Sequence, residues 1–355
     1  MDIKITKTQN PKPKPAWENA GFCKYYSDHM FIMDGNKTKG WYDARIVPYG
    51  PLQMDPASLV FHYAQESFEG MKAFYGVDGK IRLFRPDANM KRMNITHKRM
   101  SIMEFDGDFV LKALDELIKI EKDWVPPVDE MAMYIRPFCI GNGTHLGVKS
   151  SDDFIYCIIL SPVGAYYPEG MAPTKIYIED KYVRSVEGGT GAYKAGANYA
   201  GTLQPGEEVL AKGFSQICWL DAKERKYIEE VGTSNIVFVI DGKVVTPTLK
   251  TGTILPGITR DTTLQLAREW GYDVEERPVS VEEVFKAADE GKLNEAFATG
   301  TAAVISPVGL IHYKGKEAII NDQKTGPLSQ RIYDEVTDLQ YGRKEDTRGW
   351  IHIVE

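Results

Sequence analysis

Residues 187–201 read EGGTGAYKAGANYAG, and the fold turns on what this segment is. Glycines 188, 189, 191 and 196 and alanines 192, 195 and 197 leave almost no side-chain bulk around one long amine, Lys194. A P-loop is excluded, because both its spacing and its Lys-Ser/Thr ending are missing. The other glycine-rich stretch, GNGTHLG at 141–147, has Leu146 where a dinucleotide fingerprint needs its third glycine, and no amphipathic helix follows it. Taken alone, the Lys194 segment also fits a plain structural loop. The clearance suits a lysine that carries a flat aromatic ring, and a buried amine there would be more nucleophilic towards an aldehyde.

Upstream of it, VGAYYPEGMA interrupts the pattern between Pro162 and Pro173, with the Gly/Pro/Tyr composition of a linker or functional loop. A chain of 355 residues exceeds what one core usually organises, so two domains are expected, 1–161 and 174–355, joined by 162–173. Strands are expected at 80–84, 131–140, 154–160, 175–179 and 216–221. Asp241-Gly242 joins 236–240 to 243–245 as the best hairpin signal. Helices are expected from Pro86 through His97, at 108–122, 259–270, 281–289 and 328–339. Strands and helices mixed in both halves give an α+β, mixed α/β class.

A net charge of −7 argues against a general nucleic-acid or anionic-membrane surface, while leaving room for arginines that bind small anions. Cys23, Cys139, Cys157 and Cys218 lie far apart and form no Cys-x-x-Cys pair, so reduced, mostly buried thiols are expected. The histidine spacing gives no metal site. Residues 1–15, polar, lysine-rich and with three prolines, read as a loose arm without a signal peptide, and no stretch is long and apolar enough to span a bilayer; the cytoplasm is the expected location.

Two further anion sites are readable. In LPGITRDTTLQLAREWG, 255–271, Pro256-Gly257 leads into a helix whose first amides come from Ile258 and Thr259, a ready phosphate site. In ATGTAA, 298–303, Thr301 sits in a run of small residues. These segments, together with FEGMKAF (68–74), LFRPDANMKRM (83–93), YIRPF (134–138), TGAYKAGANYAG (190–201) and EEVGTSNI (229–236), occur in an order that resembles the branched-chain amino-acid aminotransferases. Those are pyridoxal phosphate enzymes of fold type IV, and the resemblance runs from about Phe22 to the C-terminus.

The resemblance implies that Lys194 forms the Schiff base with pyridoxal 5′-phosphate and shuttles the proton, with the larger C-terminal domain binding the cofactor. It implies Glu230 at the pyridine nitrogen, with Glu229 as rival, and Tyr199 at the phenolic oxygen. Arg92, the amides of Ile258 and Thr259, and Thr301 would hold the phosphate, a guanidinium fork being suited to paired oxygens. Thr233 is implied at both cofactor and substrate, and Tyr63 with the amide of Ala302 at the substrate α-carboxylate. Phe22, Phe68, Tyr134 and Tyr166 would form the apolar wall, with Arg136 at its edge for the distal carboxylate of glutamate. The implied reaction is ping-pong transamination of leucine, isoleucine or valine with 2-oxoglutarate by a homodimer. Some relatives carry a Cys-x-x-Cys thiol switch where this chain has Ala303 and Ser306, so no such switch is expected. The rival readings are a D-amino-acid transaminase or aminodeoxychorismate lyase of the same fold type, a cofactor reservoir without turnover, and a nucleotide-binding protein.

Overall fold

A computed structural model describes residues 1–164 and 171–354. Tyr166 and half of the expected linker, 165–170, lie outside the described residues. The chain divides into two compact units, Met1–Tyr166 with Tyr193–Ala197 and Thr337–Glu355, and Tyr167–Ala192 with Asn198–Val336. The main boundary falls inside the expected 162–173 segment. Two pieces assigned by sequence to the C-terminal half, however, belong to the first unit. Backbone pairing explains both: Ile351–Val354 adds antiparallel to Ile81–Phe84, and the amide of Phe68 donates to the carbonyl of Lys194 at 3.1 Å.

In the first unit, nine strands among the described residues form one sheet. Its centre is Ala132–Gly141, flanked by Asp153–Val163 on one side and by Glu66–Phe68 and Met71–Tyr75 on the other. Strand alternation divides Ala132–Gly141 between two faces. Met133, Ile135 and Cys139 enter the main core, against Met90 and Met93 of the helix Pro86–Arg99 and Leu114 and Leu117 of the helix Gly107–Ile120. Tyr134, Arg136 and Phe138 therefore point to the opposite face. Asp106 starts the second helix by accepting from the amides of Asp108 and Phe109, which sets its beginning at 107, one residue before the expected position.

The N-terminal arm is docked, in contrast to the loose arm expected. Lys4–Ile5 pairs in parallel with Arg45 and Ile46, and the Thr8 and Lys12 amides donate to His29 Nε2 and Asp28 Oδ1, both at 2.8 Å. Polar composition concealed this because the anchoring is through backbone groups on a sheet edge.

The second unit is also built on a nine-stranded sheet among the described residues. Ile228–Val231 pairs with both Gln216–Leu220 and Ser234–Ile240, so six of the strands close into a ring, which removes two free edges. Asp241 and Gly242 both have positive φ, 51° and 77°, as the expected two-residue hairpin requires. The helix Val281–Asp289 has the expected bounds, and Ile258–Glu269 begins one residue earlier than expected.

Candidate active site

Glu66 and Phe68 alternate onto one face of their strand, and the register Phe68↔Phe138 places them on the face that carries Tyr134 and Arg136. The guanidinium of Arg136 lies over the Phe68 ring, 4.7 Å from its centroid, and donates to Tyr134 Oη at 2.9 Å. Phe22 meets Tyr134 edge to face at 5.6 Å. Three of the four expected wall residues and the expected arginine are thus together. The segment 193–197 runs along this cluster: besides the Phe68 bond, the Lys194 amide donates to Thr96 Oγ1 at 3.1 Å. The ammonium of Lys194 sits 4.8 Å from the Phe68 centroid. Lys194 is half-buried, more open than the sequence reading supposed, because the glycines around it supply no walls.

Arg92 is buried, and its setting differs from a simple phosphate clamp. Its Nε and Nη2 donate to the two carboxylate oxygens of Glu69, each at 2.8 Å, and Asn89 Nδ2 donates to the same carboxylate. Glu69 is fully buried. Burial opposes its ionisation, but the charge and hydrogen bonds of Arg92 prevail and hold the carboxyl below its ordinary range. The fork is thereby fixed in one orientation and its charge largely balanced. Sequence reasoning missed Glu69; the signal available was a carboxylate embedded in the apolar run FEGMKAF.

Tyr63 does not join the Phe68 cluster. It is 37% exposed at the end of the helix Leu59–Tyr63, and its hydroxyl donates to the carbonyl of Leu146. Phe61 of the same helix, and Leu146 and Val148 in the segment that the Tyr63 hydroxyl reaches, are exposed as well.

In the second unit, the strand Ile228–Val231 sends Glu229 and Glu230 to opposite faces. Glu230 accepts from the Leu255 amide at 2.7 Å, and Arg184 Nε lies 3.4 Å from its other oxygen. Glu229 accepts from Thr253 Oγ1, and burial above all pushes its carboxyl up. Arg184, unread in the sequence, also donates to the Gly191 and Thr253 carbonyls. Glu230 pairs with Asn235, whose Nδ2 donates to the carbonyl of Leu255. A Cβ on Gly257 would meet Asn235 Oδ1 at 2.0 Å, so glycine is needed for the helix start to approach the sheet. The helix Ile258–Glu269 begins at Gly257 without a side-chain cap, leaving the first amides, including those of Ile258 and Thr259, for another partner. Thr301 and Ala302 lie in the turn joining Leu293–Gly300 to Val304–Tyr313, and a Cβ on Gly300 would meet Ser234 Oγ at 2.8 Å. Thr233 is exposed in the turn that precedes Ser234. Tyr199 is half-buried in the short helix Ala197–Ala200.

These residues fit pyridoxal 5′-phosphate. Within the second unit, the uncapped helix start and the small-residue turn beyond Gly300 suit a phosphate, and the buried Glu230 carboxylate suits a protonated ring nitrogen.

The amino-transferase class IV family model matches residues 66–311. Branched-chain-amino-acid aminotransferase 2 of Bacillus subtilis is 47% identical over 348 residues, 98% of this chain and 95% of that one. A probable branched-chain-amino-acid aminotransferase of Staphylococcus aureus is also 47% identical, over 353 residues covering 99% and 98%. The crystal structure of the Escherichia coli branched-chain amino acid aminotransferase superposes with a TM-score of 0.75 at 25% identity, over 92% of this chain and 99% of that one. Sequence and fold therefore agree that the chain belongs to the class IV aminotransferases and, within them, to the branched-chain-amino-acid aminotransferase family.

Proposed function

We propose that the chain catalyses reversible transamination of L-leucine, L-isoleucine and L-valine with 2-oxoglutarate, in two half-reactions that use one site in turn. The observation that carries this reading is the face on which Phe22, Phe68 and Tyr134 surround a single guanidinium, Arg136. An aliphatic side chain packs on the rings, and a distal carboxylate pairs with the arginine, so one surface suits both substrates. The crystal structure of another branched-chain amino acid aminotransferase contains pyridoxamine 5′-phosphate, which supports the same cofactor here. Bound pyridoxal phosphate supplies the electron sink that stabilises negative charge at the substrate Cα.

The chain's own groups do the rest. Lys194 Nζ holds the cofactor and moves the proton at the substrate Cα. Glu230, oriented by the Leu255 amide and Arg184, keeps a proton on the ring nitrogen. The amides of Ile258 and Thr259, with Thr301 and Arg92, hold the phosphate, Thr233 also meets the cofactor, and Tyr199 donates to the phenolic oxygen. Tyr63, Thr233 and the Ala302 amide take the α-carboxylate. The exposed apolar side chains of Phe61, Leu146 and Val148, on segments that the Tyr63 hydroxyl helps tie together, support a homodimer that covers them. No helix among the described residues is long and apolar enough to cross a membrane, and a cytoplasmic location is part of the proposal.

The test is the visible spectrum of the purified protein with and without L-leucine, alongside assays with L-leucine and D-alanine. A yellow protein bleached by L-leucine, with 2-oxoglutarate restoring the colour, is expected. A colourless protein, a yellow one inert to leucine, or activity with D-alanine alone would each overturn the reading.

A further inference from the structure

Glu66 has no place in the roles above, yet it stands among the residues that fill them. It shares the strand Glu66–Phe68 with the Phe68 ring, and alternation puts it on the same face as Arg136. An added Cβ on Gly196, two residues beyond Lys194, would fall 2.3 Å from Glu66 Oε2, so the carboxylate lies directly against the backbone of the lysine segment. All of these residues belong to the first unit. The Glu66 carboxylate is half-buried and has no hydrogen-bond or ion-pair partner among the described residues. Arg136 offers the matching feature: its Nε is buried and without a hydrogen-bond partner. Burial pushes the Glu66 carboxyl up, and Arg136 is the charge that opposes the rise.

A half-buried carboxylate without a hydrogen bond is unfavourable, and a purely structural position would be better filled by an amide or an aliphatic residue. Its presence is explained if the charge acts on the ligand of Arg136. With an aliphatic side chain in the site, Arg136 would face hydrocarbon, and Glu66 offsets part of its charge. With a dicarboxylate in the site, Glu66 competes for the same guanidinium and repels the incoming carboxylate.

Resting on the function proposed above, we infer that Glu66 is a specificity-determining residue, which acts through Arg136 to weaken the hold on a distal carboxylate and so balances the site towards aliphatic substrates.

The experiment compares single-turnover half-reactions of the holoenzyme with L-glutamate and with L-leucine, in the wild type and in Glu66→Gln. The isosteric amide should raise the glutamate-to-leucine ratio of kcat/KM at least threefold, chiefly through a lower KM for glutamate. In an Arg136→Met background, Glu66→Gln should shift that ratio by less than half as much. An unchanged ratio, a shift towards leucine, or the same shift with Arg136 absent would overturn the inference. Wild-type turnover of leucine with 2-oxoglutarate would leave the broader function standing in each of those cases. Should Glu66→Gln fail to fold, Glu66→Ala replaces it, with the same ratio read against the same limits.

Discussion

The Glu69–Arg92 pair is the most consequential side-chain arrangement that the site contains and the substrate never sees. Both residues are buried, and each carboxylate oxygen receives a guanidinium N–H at 2.8 Å. Such a pair adds little over an apolar replacement, but removing one partner strands the other charge. Glu69→Ala should therefore destabilise the apo chain by about 3–5 kcal/mol in urea denaturation, whereas Glu69→Gln, which keeps one hydrogen-bond acceptor, should lose less. A loss below about 1 kcal/mol in Glu69→Ala would mean that Arg92 finds water or another partner at once. Because the native Glu69 carboxyl titrates below its ordinary value, the pair's contribution is present above the pH at which a free glutamate ionises, about 4.3, and is lost as pH falls through the native value. Lys194→Ala tests the site itself: turnover and the cofactor's visible band should both vanish. A substantial residual rate would remove Lys194 from the chemistry.

The helix Pro86–Arg99 carries Arg92 on one turn and His97 on a later one, and His97 reports on how that helix is seated. Its Nδ1 lies 2.6 Å from the Met103 carbonyl, its ring packs against Phe105 and Tyr156, and its Nε2 is buried without a partner. Burial pushes the imidazole down to about 4, so the native state holds it neutral while the unfolded chain protonates near 6.5. The unfolded state gains the proton first, and stability is lost as pH falls from about 6.5 to about 4. Between pH 7 and pH 5 this amounts to about 2 kcal/mol. Denaturation curves at the two pH values should show it in the wild type, and His97→Leu should flatten the difference; an equal difference in that variant would assign the pH dependence to other groups. Elements of this kind were well announced in the sequence, since Pro86 and the spacing of Met90, Met93 and His97 are local signals. The strand faces were not. Glu66 and Phe68 look unrelated until the register with Phe138 is known, and Glu229 and Glu230 separate only once their strand is seen to alternate. Pairing partners lie dozens of residues away, where periodicity carries no information.

At the scale of the whole molecule, the same limit explains why Lys194 was expected in one unit and is found in the other. Its five-residue segment is held by Phe68 and Thr96, both more than ninety positions earlier, and no composition shift marks such a return. The Gly/Pro/Tyr-rich segment 162–173 is a local signal that composition can carry, but closure of the second sheet and docking of the N-terminal arm depend on backbone pairing alone. Assembly can be argued from what these pairings leave uncovered. The helix Leu59–Tyr63 and the segment after Gly141 are tied together by the Ser58–Thr144 bridge, the Leu59 amide to the Gly143 carbonyl and the Tyr63 hydroxyl to the Leu146 carbonyl. Nothing in that scaffold hides Phe61, Leu146 or Val148, which are 60%, 68% and 85% exposed. Large exposed apolar side chains are unfavourable in water unless a partner covers them, and a second copy seated on this scaffold would also bury Tyr63, which stands apart from the Phe68 cluster. Sedimentation velocity at micromolar concentration should give a dimer of the 39.9 kDa chain. Replacing Leu146 and Val148 with serine should shift it towards monomer while leaving the far-ultraviolet circular dichroism unchanged. A wild-type monomer, or a dimer indifferent to both serines, would place the subunit contact elsewhere and leave Tyr63 outside the site.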